Sequence, residues 1–460
     1  MLKKALCAGL ALFLGACSHT DDFQRPELPV PTQWPARADA SGQDLQASLD
    51  WEHYFVDPRL HALIALALQN NRDLRIAVAR VQEARAQYGI VGADRFPNLS
   101  LGASATAGAT PPDLSGTGTE LNGQRYDLAL NTLSYEVDFW GRIAGLTEAA
   151  RDRYLASEEA RKVARLSLIA DVAVAYFSLL QSEELLTLAR ATTAARAQSL
   201  DVVQKGRDIG AAYDFEVEEA TGSLEAARSA QATLENQRDN AQNQLDYLIG
   251  NAAQSDLPQG LALDAQGLDT PLAAGLPSQV LLQRPDVIGA EQRLRAAHAD
   301  IGAARAAFLP KVLLTAGAGV ASAGLANLFN GSAWNFEPSI TLPLFDAGKL
   351  SSGVDMAQAR KVIAVAEYEK TIQVAFREVA NLLSVRSSLA LQARSAEIGE
   401  RAQLRRLEIV RARQNAGLTG VLEVLDGERE LLAARQLRVQ LRRAQLEASA
   451  QLFKALGGGA

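Results

Sequence analysis

Apolar residues recur along this chain with two different periods, and the change of period marks its elements. Over residues 58–95, "PRLHALIALALQNNRDLRIAVARVQEARAQYGIVGADR" spaces alanine, leucine, isoleucine and valine three and four positions apart. That spacing lays them along one face of a helix. Asn70 and Asn71 interrupt the run, so two consecutive helices are expected. Phe96-Pro97 ends them, because proline confines the residue before it to extended geometry.

After Pro97 the period shortens to two. The clearest case comes late in the chain, where Lys311, Leu313, Thr315 and Gly317 alternate with Val312, Leu314, Ala316 and Ala318. Trp334, Phe336, Ile340 and Leu342 likewise share one parity against Asn335, Glu337, Ser339 and Thr341. Alternating segments of about ten residues, edged by aromatics, have the length and period of a membrane-spanning β-strand. "LSLGASATAG" (99–108) and "YDLALNTLSYEVDFW" (126–140) take the same parts earlier, with Tyr135, Phe139 and Trp140 near one boundary. β-Hairpins are therefore expected over 98–139 and 311–345. Any one strand alone would read equally well as part of a soluble hairpin.

Helical periodicity then resumes and persists. From Ile143 to about Lys205 there is no proline and one glycine, Gly145, and the pattern continues from Asp214 to Leu248. The same happens from Lys349 to Asn415 and from Val421 to Leu456. Roughly sixty residues of helix measure about 90 Å, more than a globular domain buries. Such helices need support from one another or from neighbouring chains. The alanine-rich seam in "EAARDRYLASEEARKVARLSLIADVAVAYFSLL" permits the close approach this requires.

The whole pattern occurs twice. "LQNNRDLRIAVARVQEARAQYGIVGADRFPNLSLGASA" (68–105) is echoed by "LLQRPDVIGAEQRLRAAHADIGAARAAFLPKVLLTAGA" (281–318), with Asp73 matching Asp286 and Pro97 matching Pro310 at one offset. At a second offset "GRI" (141–143) meets "GKL" (348–350), and Gly210 meets Gly417. The organisation read from this is a leader (1–16), a linker (17–57) and two structural repeats (58–270 and 271–460). Their long helical hairpins fall at 143–249 and 349–456.

Four strands are too few to close a barrel, and a sheet with open edges cannot sit in hydrocarbon. Two chains would supply about eight strands, with an interior filled by side chains, whereas three would supply about twelve and a usable bore. The expected fold is a mixed α/β membrane channel. It is a homotrimeric twelve-stranded transmembrane β-barrel, four strands per chain, continued by a long periplasmic α-helical barrel.

The N-terminus fits this. Met1-Leu-Lys-Lys and the apolar run from Ala5 to Ala16 form an export signal, too short to span a bilayer as a retained helix. Leu14-Gly-Ala-Cys17 resembles the bacterial lipobox, whose processing leaves Cys17 as a lipidated N-terminus. Cys7 departs with the signal, so no intramolecular disulfide remains possible. The plain alternative is a secretory signal with an incidental cysteine. Ser18, in place of an inner-membrane retention signal, directs the product to outer-membrane lipid. "FQRPELPVPTQWPARADA" (23–40) reads as an extended linker.

Composition narrows the function. The 460 residues are 48% hydrophobic but only 6% aromatic, with a net charge of -7, which offers nucleic acid nothing. No stretch after residue 16 offers eighteen uninterrupted apolar residues, so no transmembrane helix is expected. The four histidines show no metal-ligand spacing, and there is neither a phosphate-binding loop nor a G-x-S-x-G elbow. His53, His61 and His298 read as ordinary helix or interface side chains. Glu136, Asp138 and Glu337 could face a wet lumen or sit at its rim. No enzyme is expected, and no cofactor beyond the lipid on Cys17.

The chain resembles the TolC superfamily, specifically the outer-membrane lipoproteins of tripartite efflux systems, the OprM or NodT type. The stretches that carry the resemblance are "LGAC", "WEHYFVDPRLHALIALALQNNRDLRIA" (51–77), "YEVDFWGRI" (135–143), "LLQRPDVIGAEQRLRAAHADIGAARAAFLPKVLLTA" (281–316), "LPLFDAGKL" (342–350) and "AGLTGVLEVLDGERELLAAR" (416–435). The resemblance implies a trimeric duct docked onto a periplasmic membrane-fusion adaptor and a proton-driven inner-membrane RND-type pump, passively passing drugs or other small molecules. The same scaffold would serve a duct for type I protein secretion or metal export. A lipid-anchored coiled-coil scaffold is the alternative of another class, and leaves the paired strands unexplained.

The resemblance also points to residues. "QKGRDIGAAYDF" (204–215) and "RQNAGLTGVLEV" (413–424) are the two hairpin tips, where glycines let the chain reverse. Gly206, Gly210, Ala211, Gly417, Leu418 and Thr419 are the expected adaptor contacts. The first tip departs from the commoner family pattern. By position, Leu422 and Asp426 form the apolar and acidic rings of a closed constriction, four apart on one helical face. The alternative for Asp426 is a local ion pair with Arg429.

Overall fold

Asp57 and Asn71 show how the chain turns its first corners. In the computed structural model, which describes residues 23–32, 50–116, 118–250, 257–267 and 278–458, a short helix α1 (Trp51–Tyr54) precedes α2 (Pro58–Asn70) and α3 (Arg72–Ala93). Asp57 Oδ1 accepts the N–H groups of Arg59 at 2.7 Å and Leu60 at 3.4 Å, and Pro58 fills the first helical position, where no N–H is needed. Asn71 ends α2 by donating its N–H to Ala67, and starts α3 by accepting the N–H of Leu74 at 3.0 Å. The expected signal (1–16) and Cys17 lie outside the described residues.

Strands β1 (Ser100–Thr110) and β2 (Leu121–Val137) follow, then α4 (Arg142–Asp208) and α5 (Asp214–Leu248). The second half runs α6 (Pro285–Ala306), β3 (Lys311–Ser322), β4 (Ser332–Thr341), α7 (Lys349–Asn415) and α8 (Val421–Ala455). Both copies have a 67-residue helix followed by a 35-residue helix. The chain divides into two compact units, one of residues 1–27, 80–158 and 289–369, the other of 28–79, 159–288 and 370–460.

The first unit holds one antiparallel sheet in the order β1-β2-β3-β4. A bulge in β2 between Thr132 and Tyr135 puts Ser134 at φ 53°, a left-handed conformation that adds local twist. Where the sheet meets the helices, Asp138 accepts the N–H of Ala144 at 2.7 Å and Asp346 that of Leu350 at 2.8 Å, so each long helix starts on a carboxylate. Trp140 donates its indole N–H to Pro310 O at 2.7 Å, and Phe96, Phe139 and Phe345 stand exposed at this same end. They form an aromatic band of the kind found at membrane interfaces.

Below the sheet, alanines let helices touch. Gly145 packs so closely that an added Cβ would lie 3.3 Å from Ala299 O, and Ala149, Ala296 and Ala299 form one buried cluster. Asp152 on α4 is buried here, and burial, reinforced by Glu148, holds its carboxyl above the usual range against the opposing pull of Arg151 and Arg295. A folded-state pKa raised in this way means that stability is lost as pH rises through it. Asp152→Asn is expected to raise the unfolding temperature at about pH 7 and to leave it unchanged near pH 3, below the ordinary aspartate value. An equal shift at both pH values would show that the buried charge is not the cause.

In the second unit, α4 carries its most apolar stretch. By length and composition α4 could cross a membrane, but Ile169, Ala170, Val172, Ala173, Tyr176 and Phe177 are at most 1% exposed, which makes the stretch protein core. Asp57 is the polar centre of this core. Its Oδ2 accepts Tyr176 Oη at 2.9 Å, Leu261 N–H at 2.9 Å and Gln266 Nε2 at 2.5 Å. Nearby, Tyr54 donates to Ser449 O at 2.7 Å, and burial pushes its phenol up to about 12.

Candidate functional site

Strand register sorts side chains onto two unlike faces. One cross-strand row reads Leu101, Leu130, Ala318 and Trp334; the row next to it, on the other face, reads Ser100, Asn131, Gly317 and Asn335. The apolar face continues through Val312, Leu314 and Phe336, and its large side chains Leu101, Trp334, Phe336 and Ile340 are exposed. On the polar face Arg125 pairs with Asp127 at 2.7 Å, and Glu337 stands opposite Thr315. One face suits hydrocarbon and the other water.

Two glycines in β3 keep the polar face low. A Cβ at Gly317 would meet the flexible Asn131 and Asn335 amides at 2.3 and 2.4 Å. At Gly319 it would meet backbone instead, 2.1 Å from Leu128 O and 2.5 Å from Ala129 Cα. Of the acidic residues expected at the lumen or its rim, Asp138 caps α4 at the rim. Glu136 is on the polar face but is gripped by Arg142 through two hydrogen bonds of 2.8 Å. Glu337 alone of the three is on that face and exposed. Of the histidines, His53 pairs with Asp50 and His61 with Phe55 O, both local contacts, whereas His298 meets the distant Phe23 ring.

The two helix tips close alike. Gly210 (φ 75°) and Gly417 (φ 71°) occupy the left-handed region that ends a helix. The next residues complete the turn: Ala211 N–H donates to Gly206 O at 2.7 Å, and Leu418 N–H to Arg413 O at 2.9 Å. Gly206 does not reverse the chain as expected. It lies inside the last turn of α4, and its role is closeness, since a Cβ there would sit 3.2 Å from that of Ala212. Thr419 Oγ1 is shielded from solvent and has no hydrogen-bond partner among the described residues.

The sequence reading missed the exposed apolar residues of the first tip, Ile209, Tyr213 and Phe215, which stand out as large apolar side chains beside a turn. Tyr213, Phe215 and Leu422, with Val203, Ala220 and Leu425, line a cavity of about 160 Å³. Leu422 is itself half exposed. One turn along α8, Asp426 accepts from Arg429 at 2.6 Å, so the local ion pair weighed from the sequence is present. It also accepts from Arg406 of α7 at 2.8 Å. Asp426 thus ties the two helices of the second hairpin together. Deeper, Glu428 bridges Arg196 of α4 at 3.1 Å and Arg411 of α7 at 2.9 Å.

Residues 63–251 and 276–458 match the family described as outer membrane efflux protein. The chain is 39% identical over 469 residues to the toluene efflux pump outer membrane protein TtgI of Pseudomonas putida, covering 100% of this chain and 99% of that one. It is 39% identical over 455 residues to the outer membrane protein OprJ of Pseudomonas aeruginosa, covering 98% and 94%. Among solved structures, the open state of the Neisseria gonorrhoeae MtrE outer membrane channel matches with a TM-score of 0.87 at 36% identity, covering 96% of this chain and 98% of that one. The four-stranded sheet and long periplasmic helices are those of the trimeric TolC-type channels, whose subunits close a shared barrel and pass molecules without chemistry. The chain belongs to the outer membrane efflux protein family, as a TolC/OprM-type outer-membrane channel that works with the adaptor and inner-membrane pump of an RND-type tripartite efflux system.

Proposed function

We propose that this channel exports small apolar or amphiphilic molecules, is held to the outer membrane by lipid on Cys17, and closes at rest through Leu422 and Asp426. The substrate class follows relatives such as TtgI, named for toluene efflux. The observation that carries the gate is the placement of Asp426, which joins α7 to α8 through Arg406 one turn from an exposed Leu422. Threefold symmetry brings three copies of each towards one axis. The exposed Ile209, Tyr213 and Phe215 of the first tip and Leu418 of the second offer apolar surface to the adaptor, which joins Gly210, Ala211, Gly417 and Thr419 in the contact.

The test is single-channel current across a planar bilayer with purified mature protein, its oligomer mass measured in the same detergent. A trimer with small, flickering conductance is expected, the signature of a duct closed until an adaptor engages it. A trimer with a steady, wide conductance would sink the resting gate. A monomer or dimer that never conducts would sink the duct as well.

A further inference from the structure

The N-terminal arm is gripped more firmly than a linker requires. Phe23 stands edge-on to the His298 imidazole, centroids 5.9 Å apart, and the Arg295 guanidinium lies over its ring at 4.6 Å. Two residues on, Arg25 Nη2 donates to Glu291, 3.0 Å from Oε1 and 2.8 Å from Oε2. Arg295 reaches the same carboxylate, 3.2 Å from Nε and 2.8 Å from Nη2. Glu291 is buried with both guanidiniums at hydrogen-bond distance. Glu291, Arg295 and His298 are spaced four and three apart, which puts all three on one face of α6.

The position of this grip along α6 matters as much as its strength. Six residues separate Phe23 from Cys17, at most about 20 Å of extended chain. Eight residues separate His298 from the end of α6 at Ala306, about 12 Å of helix. β3 begins five residues later, at the aromatic end of the sheet. Six residues of chain are therefore long enough to span from Phe23 to the aromatic end of the sheet. A grip several turns further back along α6 would leave them short.

We propose that Phe23 and Arg25 form a latch that registers the N-terminal arm on α6, so that the acyl chains on Cys17 enter the leaflet next to the foot of the barrel. This rests on Cys17 being the lipidated residue. Phe23 and Arg25 are positioning residues: they shorten the tether between lipid and sheet. Released as far as the half-buried Leu28, the tether grows from six residues to eleven, and the local concentration of its end falls with roughly the −3/2 power of length. The expected loss is about two- to threefold in the rate at which newly exported chains become membrane-inserted trimer.

The experiment is a pulse-chase of full-length protein in cells, reading palmitate incorporation and the rate of trimer formation. It compares the native chain with the double variant Phe23→Ala/Arg25→Ala, each with Cys17 and with Cys17→Ser behind an ordinary secretory signal. The latch predicts about two- to threefold slower trimer formation for the double variant when acylated, and no further slowing when acylation is absent. Phe23→Tyr, which keeps the ring contacts, should restore the native rate. Equal slowing in both backgrounds would show that the contacts merely stabilise the fold, and no slowing in either would show that they do nothing for assembly; both overturn the latch while leaving the anchor intact. Absence of palmitate from the native chain would overturn the anchor and the latch together.

Discussion

Gly319→Val is expected to leave almost no folded trimer. A Cβ at this position would lie 2.1 Å from Leu128 O and 2.5 Å from Ala129 Cα, both backbone atoms of the paired strand. Neither can rotate away, so β2 and β3 must separate in the middle of their ladder. Each backbone group unpaired within hydrocarbon costs several kcal/mol, and a handful exceeds the stability of an ordinary fold. Gly108→Ala is the matched control, because nothing lies within 4 Å of its added Cβ. Semi-native electrophoresis of outer-membrane fractions reads the result. Wild-type trimer levels for Gly319→Val would mean that the β2–β3 register is not the one described.

The second large effect concerns the resting duct. Asp426→Ala removes the ion pairs to Arg406 and Arg429, which is six pairs in a trimer. Only the Arg406 pair joins two helices, three in a trimer, and partly exposed pairs contribute about 0.2–1 kcal/mol each, so on the proposed gate their loss favours opening by about 0.6–3 kcal/mol. At about 1.4 kcal/mol per factor of ten, the middle of that range raises the open-to-closed ratio about twentyfold. Single-channel conductance should rise several-fold and lose its flicker, and the native channel should spend a larger fraction of time open as ionic strength rises. Unchanged conductance would take Asp426 out of the gate and leave it as a tie between α7 and α8.

Much of this architecture was legible because both regular periods run undisturbed for long stretches. The helix ends came out well where punctuation was chemical: Asn71 between α2 and α3, and Gly210 and Gly417 at matched places in the two repeats. The membrane strands were legible in β3 and β4, where bulky apolar residues alternate with polar ones. β1 was fainter because small residues carry its alternation, alanine on one face against serine, threonine and glycine on the other, and register showed Leu101 in a row with Leu130 and Trp334.

What escaped the sequence depends on tertiary distance. Arg406 is twenty positions from Asp426 and across a turn, so no local spacing rule connects them, whereas Arg429, three positions away, was visible. Gly206 beside a turn reads like any reversing glycine until its backbone shows a helical residue packed against Ala212. The proline spacing of the arm pointed to extended chain. It hid the fact that Phe23 and Arg25 are anchored on α6, more than 260 residues away.

The outermost strands β1 and β4 are each paired on one side only among the described residues, so each finished barrel takes a third of its wall from each subunit. This has a genetic corollary. Where normal copies are made alongside an equal number whose outer strands cannot form a seam, about one trimer in eight is wholly normal, because three independent draws must all succeed. Such alleles should be dominant. A lesion such as Gly319→Val, which spoils the sheet before a chain meets its partners, removes only its own product and should be recessive.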